Sequence, residues 1–349
     1  MDVLVAMSGG VDSSVAAARL VDEGHRVVGA TLRLWGGESD TGCCSVADVD
    51  DARRVCHVLG IDHHVFNYAE EFERDVIEPY VASHAMGRTP NPCIECNRRV
   101  KFDLLADRAR RLGFGALATG HHARVVTRGG VRRVARGADA AKDQSYVLGH
   151  LSARQLEGLS FPVGSLTKDE VRAEARARGL RTWDKPDSQD VCFISSQTGR
   201  AAFLAARLDL TAATVVDVDD GVIGEVAAAE LVTVGQRRGI ARASHGEARF
   251  VARVDVAAAR VEVGRLRAVT VDALGVEPGS LSGGPFGVAT AVWAQWSAHG
   301  EARAATLVDG PWRLLLDEPA RPVAPGQSVV LYDAHEPDVV VGAAVVAAR

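Results

Sequence analysis

Apolar and polar positions follow two different patterns along the chain, and the change comes near residue 205. In the first part, short apolar runs predict buried strands at 2–6, 26–32 and 63–68. Stretches of helical period separate these runs, at about 12–23, 46–59 and 70–86. Strands that alternate with helices of this length predict right-handed crossovers and a parallel sheet covered on both faces. We therefore expect an α/β N-terminal domain with a parallel sheet over residues 1–205.

The second part of the chain has the pattern of antiparallel β-structure. Short alternating runs, divided by Gly, Pro and Asp, follow one another: TVVDVD, LVTVG, RFVARVDV, RVEVG, AATLVD, WRLLLD, SVVLYD and VVVGAAVV. Such runs are typical of small antiparallel barrels. The stretch VEPGSLSGGP at 276–285 is the best candidate for a break between two modules. We expect a small central β domain over 206–278 and a C-terminal β-barrel over 279–349.

Composition limits the class of protein. The 349 residues are 47% hydrophobic and 24% charged, which is enough for two or three packed domains and too apolar for disorder. No apolar run reaches membrane-spanning length, and the first twenty residues lack the basic start and cleavage site of a signal peptide. We expect a cytoplasmic protein without a membrane partner, whose six cysteines are mostly thiols.

Charge is distributed unevenly. The net charge of −5 argues weakly against a nucleic-acid partner, yet eleven basic residues face only two acidic ones between Arg98 and Arg136. A local field of that sign could hold a phosphate backbone. A solvated arginine-rich helix face and hairpin would give the same pattern, so charge alone does not decide.

The loop after the first predicted strand, AMSGGVDSS at 6–14, is rich in glycine and hydroxyls but lacks the lysine of a Walker loop. A strand, SGG and a helix direct backbone N–H groups and a helix dipole at one point, where an anion is stabilised. Gly9 and Gly10 allow close backbone approach, and Asp12 can cap the helix or help to hold Mg²⁺. A glycine pair can also be only a tight turn. SGGVDSS as a whole resembles the pyrophosphate loop of the ATP pyrophosphatase superfamily, whose members transfer AMP to an oxygen atom.

Two segments, NPCIECNRRVKF at 91–102 and SQDVCFI at 188–194, contain cysteines with candidate chemistry. Cys93 and Cys96 lie around the start of a predicted basic helix, where the dipole and arginines favour the thiolate. One reactive thiol can carry a persulfide, and another, such as Cys192, can take part in thiol–disulfide exchange with it. A zinc half-site or ordinary buried cysteines would give the same spacing. That two of these cysteines act together is therefore a hypothesis, which depends on whether the fold brings them close to each other.

Eight segments together resemble the tRNA-specific 2-thiouridylase (MnmA) family over essentially the whole chain. They are SGGVDSS, GATLRLW, NPCIECNRRVKF, ATGHHAR, KDQSYVL, VGSLTKDEVR, DSQDVCFI and TVGQRRGI. The resemblance implies ATP-dependent replacement of O2 of the wobble uridine by sulfur in tRNAs for lysine, glutamate and glutamine. It implies ATP and Mg²⁺ as cofactors, the tRNA anticodon loop as a partner, and a cysteine desulfurase or sulfur-relay protein as persulfide donor.

The resemblance also assigns roles by position. ATP contacts are expected at Ala6, Met7, Ser8, Gly9, Gly10, Val11, Asp12, Ser13, Leu32 and Gly120. Contacts with tRNA are expected at Asn91, Pro92, Cys93, His121, Lys142, Asp143, Gln144 and Gln327. Cys192 would accept sulfur as a persulfide, and Cys96 would be the nucleophile or resolving thiol that forms a disulfide with it. No residue is assigned as a dedicated metal ligand.

Two positions depart from the family pattern. Cys93 stands where some relatives have aspartate, and AQWSAHGE at 294–301 stands where relatives often carry an arginine-rich strand. A further set matches no catalytic position, and we interpret it as structural or solvent-exposed: Cys43, Cys44, Cys56, His63 and His64.

Three alternatives stay open. Another adenylating enzyme of the superfamily, such as an amidotransferase or argininosuccinate synthetase, would share the loop without needing Cys96 and Cys192. A nucleotide-binding regulatory protein without catalysis would share the sheet. Thiolation could also use an iron–sulfur cluster on Cys93, Cys96 and Cys192 with one open iron site.

Overall fold

The computed structural model describes residues 1–34, 45–187, 191–194, 199–240, 248–277, 281–310 and 312–348. Cys43 and Cys44 lie outside these ranges. The chain divides into two compact units. The first unit comprises Met1–Ile77, Pro92–Gly199 and Asp338–Val340, and the second comprises Glu78–Asn91, Arg200–Pro337 and Val341–Arg349. The predicted three-domain division, with boundaries at 205/206 and 278/279, stays a prediction.

The first unit is built on a parallel sheet. Its strands and those of a neighbouring hairpin are β1 (Asp2–Ala6), β2 (Arg26–Arg33), β3 (Asp62–Asn67), β4 (Ala116–Thr119), β5 (Ala123–Arg128), β6 (Val131–Arg136) and β7 (Leu159–Ser160). The sheet has the order β3-β2-β1-β4-β7, with parallel pairing throughout, and β5 pairs with β6 in an antiparallel hairpin. The central residues of β1 and β2 are buried, as near-continuous apolar runs require. The predicted α/β fold with a parallel sheet is confirmed.

Helices follow the strands as the periodicity predicts. The α-helices are α1 (Val11–Asp22), α2 (Val46–Leu59), α3 (Ala69–Phe72), α4 (Glu78–Ala85), α5 (Pro92–Glu95), α6 (Ala106–Arg111), α7 (Ser145–Leu148), α8 (Ala153–Leu156), α9 (Lys168–Ala177), α10 (Gly199–Ala205) and α11 (Leu266–Val269). Segments Glu73–Ile77 and Cys96–Leu105 are π-helical, and Arg181–Asp184 and Ala229–Leu231 are 3₁₀-helical. α1 packs against α9 through a core that includes Val15, Val171 and Ala175, so the start of α9 lies near the start of α1.

The second unit contains two sheets. Its strands are β8 (Ala213–Asp217), β9 (Gly221–Val226), β10 (Phe250–Asp255), β11 (Arg260–Gly264), β12 (Val271–Gly275), β13 (Ser282–Gly283), β14 (Ala289–Gln295), β15 (Arg303–Val308), β16 (Arg313–Ala320), β17 (Ser328–Asp333) and β18 (Val340–Val345). The orders are β10-β11-β8-β9 and β12-β16-β15-β14-β17-β18-β13. Among the strand pairs whose direction is described, β11 and β8 are parallel and all the others are antiparallel. Antiparallel β-structure is confirmed, and closure into a barrel stays a prediction.

One predicted strand is wrong. The run LVTVG at 231–235 follows the 3₁₀ helix Ala229–Leu231 and forms no strand. Val232 and Val234 instead pack into the apolar cluster of the four-stranded sheet, so their alternation reflects packing and not strand pairing. Within the described ranges, no helix combines the length and the apolar character needed to cross a membrane.

Candidate active site

The loop between β1 and α1 folds back on the first turn of α1 through its hydroxyls. The Ser8 N–H donates to Ser13 Oγ at 3.2 Å. Ser13 Oγ and Ser14 Oγ donate to the Gly10 carbonyl at 3.1 and 2.8 Å. Gly10 is the N-cap residue and has no side chain that could accept from the first N–H groups of α1. This helix start therefore suits an anion that accepts from backbone N–H groups.

Three glycines shape the walls of this loop. Gly9 has φ +70°, and a Cβ there would lie 2.3 Å from the Asp48 carbonyl oxygen. A Cβ on Gly120, after β4, would lie 2.4 Å from the Ser13 nitrogen. Gly10 differs, because its Cβ would meet only Ser8 Oγ, at 3.4 Å. The backbone therefore packs tightly at Gly9 and Gly120 and leaves space at Gly10.

Four further residues predicted to contact ATP are apolar. Ala6 ends β1, and Met7, Val11 and Leu32 are buried. The Met7 N–H donates to the Ala30 carbonyl at 2.8 Å, which continues the pairing of β1 with β2 into the loop. The loop therefore begins directly after Met7.

Asp12, in the first turn of α1, accepts hydrogen bonds from two distant side chains. Lys168 Nζ donates to both carboxylate oxygens at 2.8 Å, and His122 Nε2 lies 3.0 Å from Oδ1. Burial alone would raise the pKa of Asp12, but these hydrogen bonds and charges lower it below its ordinary value. His122 is buried, and its Nδ1 has no hydrogen-bond partner among the described residues, so its Nε2 makes the contact that ties the ring to Asp12.

These contacts bear on the two roles that the sequence suggested for Asp12. The N-cap of α1 is Gly10, so Asp12 does not cap the helix. Both of its oxygens are occupied by the Lys168 ammonium, so the carboxylate does not fit a direct Mg²⁺ ligand in this arrangement. Over the described part of the chain, no three His, Cys, Asp or Glu side chains are grouped so that they could hold a metal ion.

Lys168 is the first residue of α9, and the sequence analysis missed it. Thr167 and Glu170 form a capping box at this helix start, and the Lys168 N–H donates to Asp139 at 2.9 Å. The Lys168 side chain is only 10% exposed, and its Nζ also lies 2.9 Å from Asp187 Oδ1. A lysine at a helix N-terminus is disfavoured by the helix dipole. A lysine at the start of a predicted helix was therefore the sequence signal that could have identified this residue.

Asp187, also missed, joins this group to the segment just before Cys192. It accepts from Lys142 Nζ at 2.7 Å and from Arg172 Nη2 at 2.8 Å. Burial opposes ionisation, but the ammonium groups of Lys142 and Lys168 lower the pKa of Asp187 to about 2. The carboxylate is therefore ionised at neutral pH and holds three cationic side chains together.

Lys185 ties the loop to α2 on its other side. Its Nζ donates to the Gly9 carbonyl at 3.0 Å and to Asp48 and Asp51 at 2.7 Å each. α2 starts at a capping box formed by Ser45 and Asp48. Two lysines that lie outside the loop, Lys168 and Lys185, thus hold it and the first turn of α1 in place.

The predicted tRNA residues Lys142, Asp143 and Gln144 all make contacts inside the first unit. Lys142 pairs with Asp187, as described. Asp143 accepts from the Gly137 N–H at 2.9 Å and from the Ser145 hydroxyl at 2.7 Å. The Gln144 side chain and backbone both bond the backbone of His122, at 2.8 and 2.9 Å. These contacts position His122 beside Asp12, and tRNA contact by the three residues stays a prediction.

His121 lies in an aromatic environment. Its ring is 5.8 Å from the rings of both Phe102 and Phe161, and its Nδ1 lies 2.6 Å from Thr119 Oγ1. Burial, with the nearby charge of Lys101, lowers the pKa of His121 well below its ordinary value. The ring is therefore neutral at physiological pH.

Gln327 lies in the second unit and contacts the chain just before Asn91 and Pro92. Its Nε2 donates to the Thr89 carbonyl, and the Thr89 N–H donates to the Pro325 carbonyl at 2.9 Å. Gln327 therefore holds the segment that leads to α5, where Pro92 is buried. Its predicted contact with tRNA is untested.

Four cysteines lie in the described ranges, and all four are thiols. Cys93 is exposed in the first turn of α5, Cys96 is buried at the start of the π-helical segment, and Cys192 is half-buried. Cys56 is also buried, and burial raises the pKa of its thiol to about 11, as expected for a structural cysteine.

The segments of Cys96 and Cys192 meet the same helix. Phe193 is 3% exposed and packs edge-on against Phe72 of α3, with ring centroids 5.7 Å apart. α3 and the helical turn that follows it also pack against the helical segment that begins at Cys96. The residue after Cys192 and the helical segment that begins at Cys96 therefore pack against the same stretch of chain, Ala69–Phe72 with Glu73–Ile77.

Part of the basic stretch is committed to internal pairs. Arg98 and Arg99 pair with Glu95 at 2.6 and 3.8 Å, and the Arg132 guanidinium donates to the Leu159 carbonyl at 2.9 Å. The Arg99 side chain remains 50% exposed and that of Arg111 75% exposed. The helical surface over 92–111 therefore presents guanidinium groups to solvent while its acidic residues partly neutralise them.

The chain matches a family model over its first part and curated relatives over nearly its full length. Residues 1–196 match the family model described as "tRNA methyl transferase HUP domain". The chain is 46% identical to the tRNA-specific 2-thiouridylase MnmA of Mycobacteroides abscessus, over 99% of both chains. It is 44% identical to the protein of the same name from Thermobifida fusca, over 99% of this chain and 95% of that protein.

Among solved structures, a 4-thiouridine synthetase–RNA complex with bound ATP matches 55% of this chain and 44% of its own. The identity is 19% and the TM-score is 0.40. The full-length sequence matches therefore carry the assignment to a family.

Proposed function

The chain belongs to the tRNA-specific 2-thiouridylase MnmA family, and on that basis we propose that it catalyses ATP-dependent thiolation of uridine in tRNA. The substrate position is the wobble uridine of tRNAs for lysine, glutamate and glutamine, and the products are 2-thiouridine, AMP and pyrophosphate. The name of the family model mentions methyl transfer, but methyl transfer has no use for a phosphate-binding loop or for two cysteine segments that pack against one helix. The observation that carries the proposal is the presence of both features in one unit.

The first chemical step is adenylation of the base. O2 of the uridine attacks the α-phosphorus of ATP, the bond to the bridging oxygen of the β-phosphate breaks, and pyrophosphate leaves. The uncapped start of α1 and the open position at Gly10 support this role, because backbone N–H groups stabilise the charge of the departing group. Adenylation turns O2 into a good leaving group at C2.

The second step is sulfur transfer. A persulfide on Cys192 attacks C2 with its outer sulfur, and AMP leaves with O2. The thiolate of Cys96 then attacks the Sγ of Cys192, the sulfur–sulfur bond to the base breaks, and a Cys96–Cys192 disulfide and 2-thiouridine remain. A dithiol reductant must reduce that disulfide before the next turnover. The shared packing of the two segments on α3 supports this division of labour.

The reaction also requires a tRNA, a sulfur donor and Mg²⁺. The anticodon loop binds with its target base out of the stack, because O2 is otherwise out of reach of the loop and thiols. A cysteine desulfurase or sulfur-relay protein supplies the persulfide, Mg²⁺ enters bound to ATP, and the reaction takes place in the cytoplasm, where tRNA and ATP are. The seven-stranded sheet closes into the C-terminal barrel of the family.

The iron–sulfur alternative is less well supported by the donor geometry. Cys93 is exposed and Cys96 is buried, and they lie in one helical segment. Neither Cys93, Cys96 and Cys192 nor any other described trio of candidate ligands is grouped as a metal site would need. A two-thiol relay needs only Cys96 and Cys192 to approach one another.

The test is mass analysis of tRNA nucleosides after incubation of the purified protein with tRNA, ATP, Mg²⁺ and a persulfide donor. We expect 2-thiouridine in lysine, glutamate and glutamine tRNAs, with pyrophosphate release that depends on tRNA. Pyrophosphate release with a small-molecule acceptor and no tRNA would favour another adenylating enzyme. Absence of both activities would favour a regulatory nucleotide-binding protein.

A further inference from the structure

The segment HHVFNY at 63–68 has no role in the proposed reaction. It includes most of β3, which lies at one end of the five-stranded sheet and pairs only with β2 among the described strands. His64, Phe66 and Tyr68 alternate along this edge and therefore lie on one face of the sheet. His64 is exposed, and Phe66 and Tyr68 are half-buried. Proteins usually cover or charge an exposed sheet edge, so a row of rings there indicates a binding surface.

The three rings form a continuous row. The ring centroids of His64 and Phe66 are 6.4 Å apart, and their planes are inclined by 25°. The centroids of Phe66 and Tyr68 are also 6.4 Å apart, with planes inclined by 52°. Aromatic side chains stack the bases of single-stranded nucleic acids with little regard to sequence, because every base has a π face. The row therefore has the form of a stacking surface for unpaired bases.

Helix α6 supplies positive charge beside this row. The Arg108 guanidinium lies over the Phe66 ring, 5.5 Å from its centroid, and Arg108 is exposed. Arg110 and Arg111 share one acidic partner, Asp107, which is the only acidic residue of α6. Three guanidinium groups on this helix thus face a single carboxylate. Arginines beside aromatic rings are suited to holding a base and its phosphate together, which favours RNA as the occupant.

This surface is continuous with the elements that carry the candidate thiols. The helical stretch that begins at Cys96 continues through α6, so Arg108 lies about three turns further along the same stretch. At the end of the row of rings, the Phe72 N–H donates to the Tyr68 carbonyl at 2.9 Å, and Phe72 packs against the residue after Cys192. An RNA strand whose target base lies at the thiols can therefore place neighbouring nucleotides on this surface.

We propose that the β3–α6 surface, formed by His64, Phe66, Tyr68 and Arg108, binds unpaired nucleotides of the tRNA anticodon loop that neighbour the target base. The rings stack on the bases, and the Arg108 guanidinium pairs with a phosphate. This inference rests on the proposed function and adds a second contact with the same substrate. Stacking suits that substrate, because tRNAs for three amino acids have different anticodons, and hydrogen bonds to the base edges would distinguish among them.

The test measures the affinity of the full chain for an RNA hairpin with the anticodon stem and loop of a lysine tRNA, at several salt concentrations. Phe66→Leu keeps the apolar bulk but removes the ring, so it should weaken binding by about fivefold or more without changing the salt dependence. Arg108→Gln should also weaken binding and should lower the slope of log binding constant against log salt by about 0.7, the contribution of one phosphate on a single strand.

Arg207→Gln is the matched control. Arg207 is exposed, and its guanidinium lies over the Phe203 ring in the second unit, 4.1 Å from the centroid. The variant removes the same kind of contact from a different place in the chain. It should bind the hairpin like the wild type and with the same salt slope.

Two results would overturn the inference. Normal binding of the hairpin by both Phe66→Leu and Arg108→Gln is the first, and slower sulfur uptake by these variants would then mean that the surface receives the donor protein. An equal loss of hairpin and α,β-methylene-ATP binding is the second, since the residues would then only support the fold. If Phe66→Leu does not fold, Arg108→Gln decides, because Arg108 is exposed. The proposed function fails separately, since a wild-type protein that binds the hairpin but forms no 2-thiouridine would contradict only thiolation.

Discussion

The glycines around the phosphate loop differ in what a side chain would contact, as the position of an added Cβ shows. At Gly9 and Gly120 the new atom would overlap backbone, at 2.3 and 2.4 Å. At Gly10 it would meet only a serine hydroxyl, and the φ of −94° suits any residue. The fold thus requires glycine at Gly9 and at Gly120. At Gly10 only a ligand that approaches the backbone closely requires it.

The first prediction at the residue scale concerns Gly10→Val. This variant should fold with a Tm close to that of the wild type and lose ATP binding, because the branched side chain fills the space where backbone must meet phosphate. Binding of α,β-methylene-ATP and thermal unfolding, measured side by side, check it. Normal binding by Gly10→Val would contradict the assignment of the loop as a phosphate site.

Gly9→Ala and Gly24→Ala serve as a matched pair for this experiment. Both positions have positive φ, +70° and +76°, so both variants carry a similar backbone penalty of about 1 kcal/mol. A Cβ at Gly24 meets nothing within 4 Å, whereas one at Gly9 overlaps Asp48. Gly9→Ala should therefore have the lower Tm of the two, and Gly24→Ala should bind the nucleotide normally.

At the scale of elements, the helical stretch over 92–111 combines the candidate thiols with the basic surface. It starts at Pro92, a residue that suits the first position of a helix, and its middle part is π-helical, which is frequent at functional sites. Glu95 pairs with Arg98 and Arg99 one turn later. Exposed pairs of this kind contribute little to stability, so the arginines can exchange their partner for a phosphate at small cost.

This exchange gives a prediction for Arg99→Glu. The variant should bind tRNA more weakly, and the slope of log binding constant against log salt should fall by about one unit, because one phosphate contact is lost. Arg53→Glu on α2 is the matched control, since Arg53 is also exposed and pairs with an acid three residues away, Asp50, at 3.0 Å. Equal salt slopes for the two variants would mean that the basic stretch is a solvated helix face and does not bind tRNA.

At the scale of the whole molecule, the sequence predicted what depends on local pattern. The parallel α/β unit, the β-rich second part and the loop before α1 follow from periodicity and from glycine placement. The run LVTVG was misread because alternation also arises from side chains that pack into a core without ladder pairing. Contacts such as Lys168–Asp12 and Lys142–Asp187 join residues far apart in sequence, and no local pattern determines them.

The cysteines show the same limit. The sequence marked Cys96 and Cys192 by their neighbours and by family resemblance, but it could not show whether the two segments meet. In the structure, Phe193 packs against Phe72 of α3, and Phe72 occupies an unremarkable apolar position of a predicted helix. The sequence pattern does not show that these two aromatic residues pack together, so the place of the Cys192 segment in the fold could not be predicted from it.

The last prediction concerns the division of labour between these thiols. Cys192→Ser should adenylate tRNA but acquire no sulfur from the donor, because a hydroxyl cannot form a persulfide. Cys96→Ser should load sulfur on Cys192 and then stall, without a Cys96–Cys192 disulfide. Cys93→Ser should retain turnover in a two-thiol relay, whereas a three-cysteine cluster would lose iron and activity together.

Mass spectrometry of each variant after donor treatment, beside iron analysis, measures these outcomes. Cys56→Ser is the control thiol, since Cys56 is buried, its thiol has a pKa raised to about 11, and its Sγ lies where a Cβ on Gly29 would be only 2.5 Å away. This variant should acquire sulfur on Cys192 like the wild type. A persulfide on Cys96 in the Cys192→Ser protein, with turnover retained, would mean that the two roles are reversed, because the attacking sulfur must then start from the buried thiol.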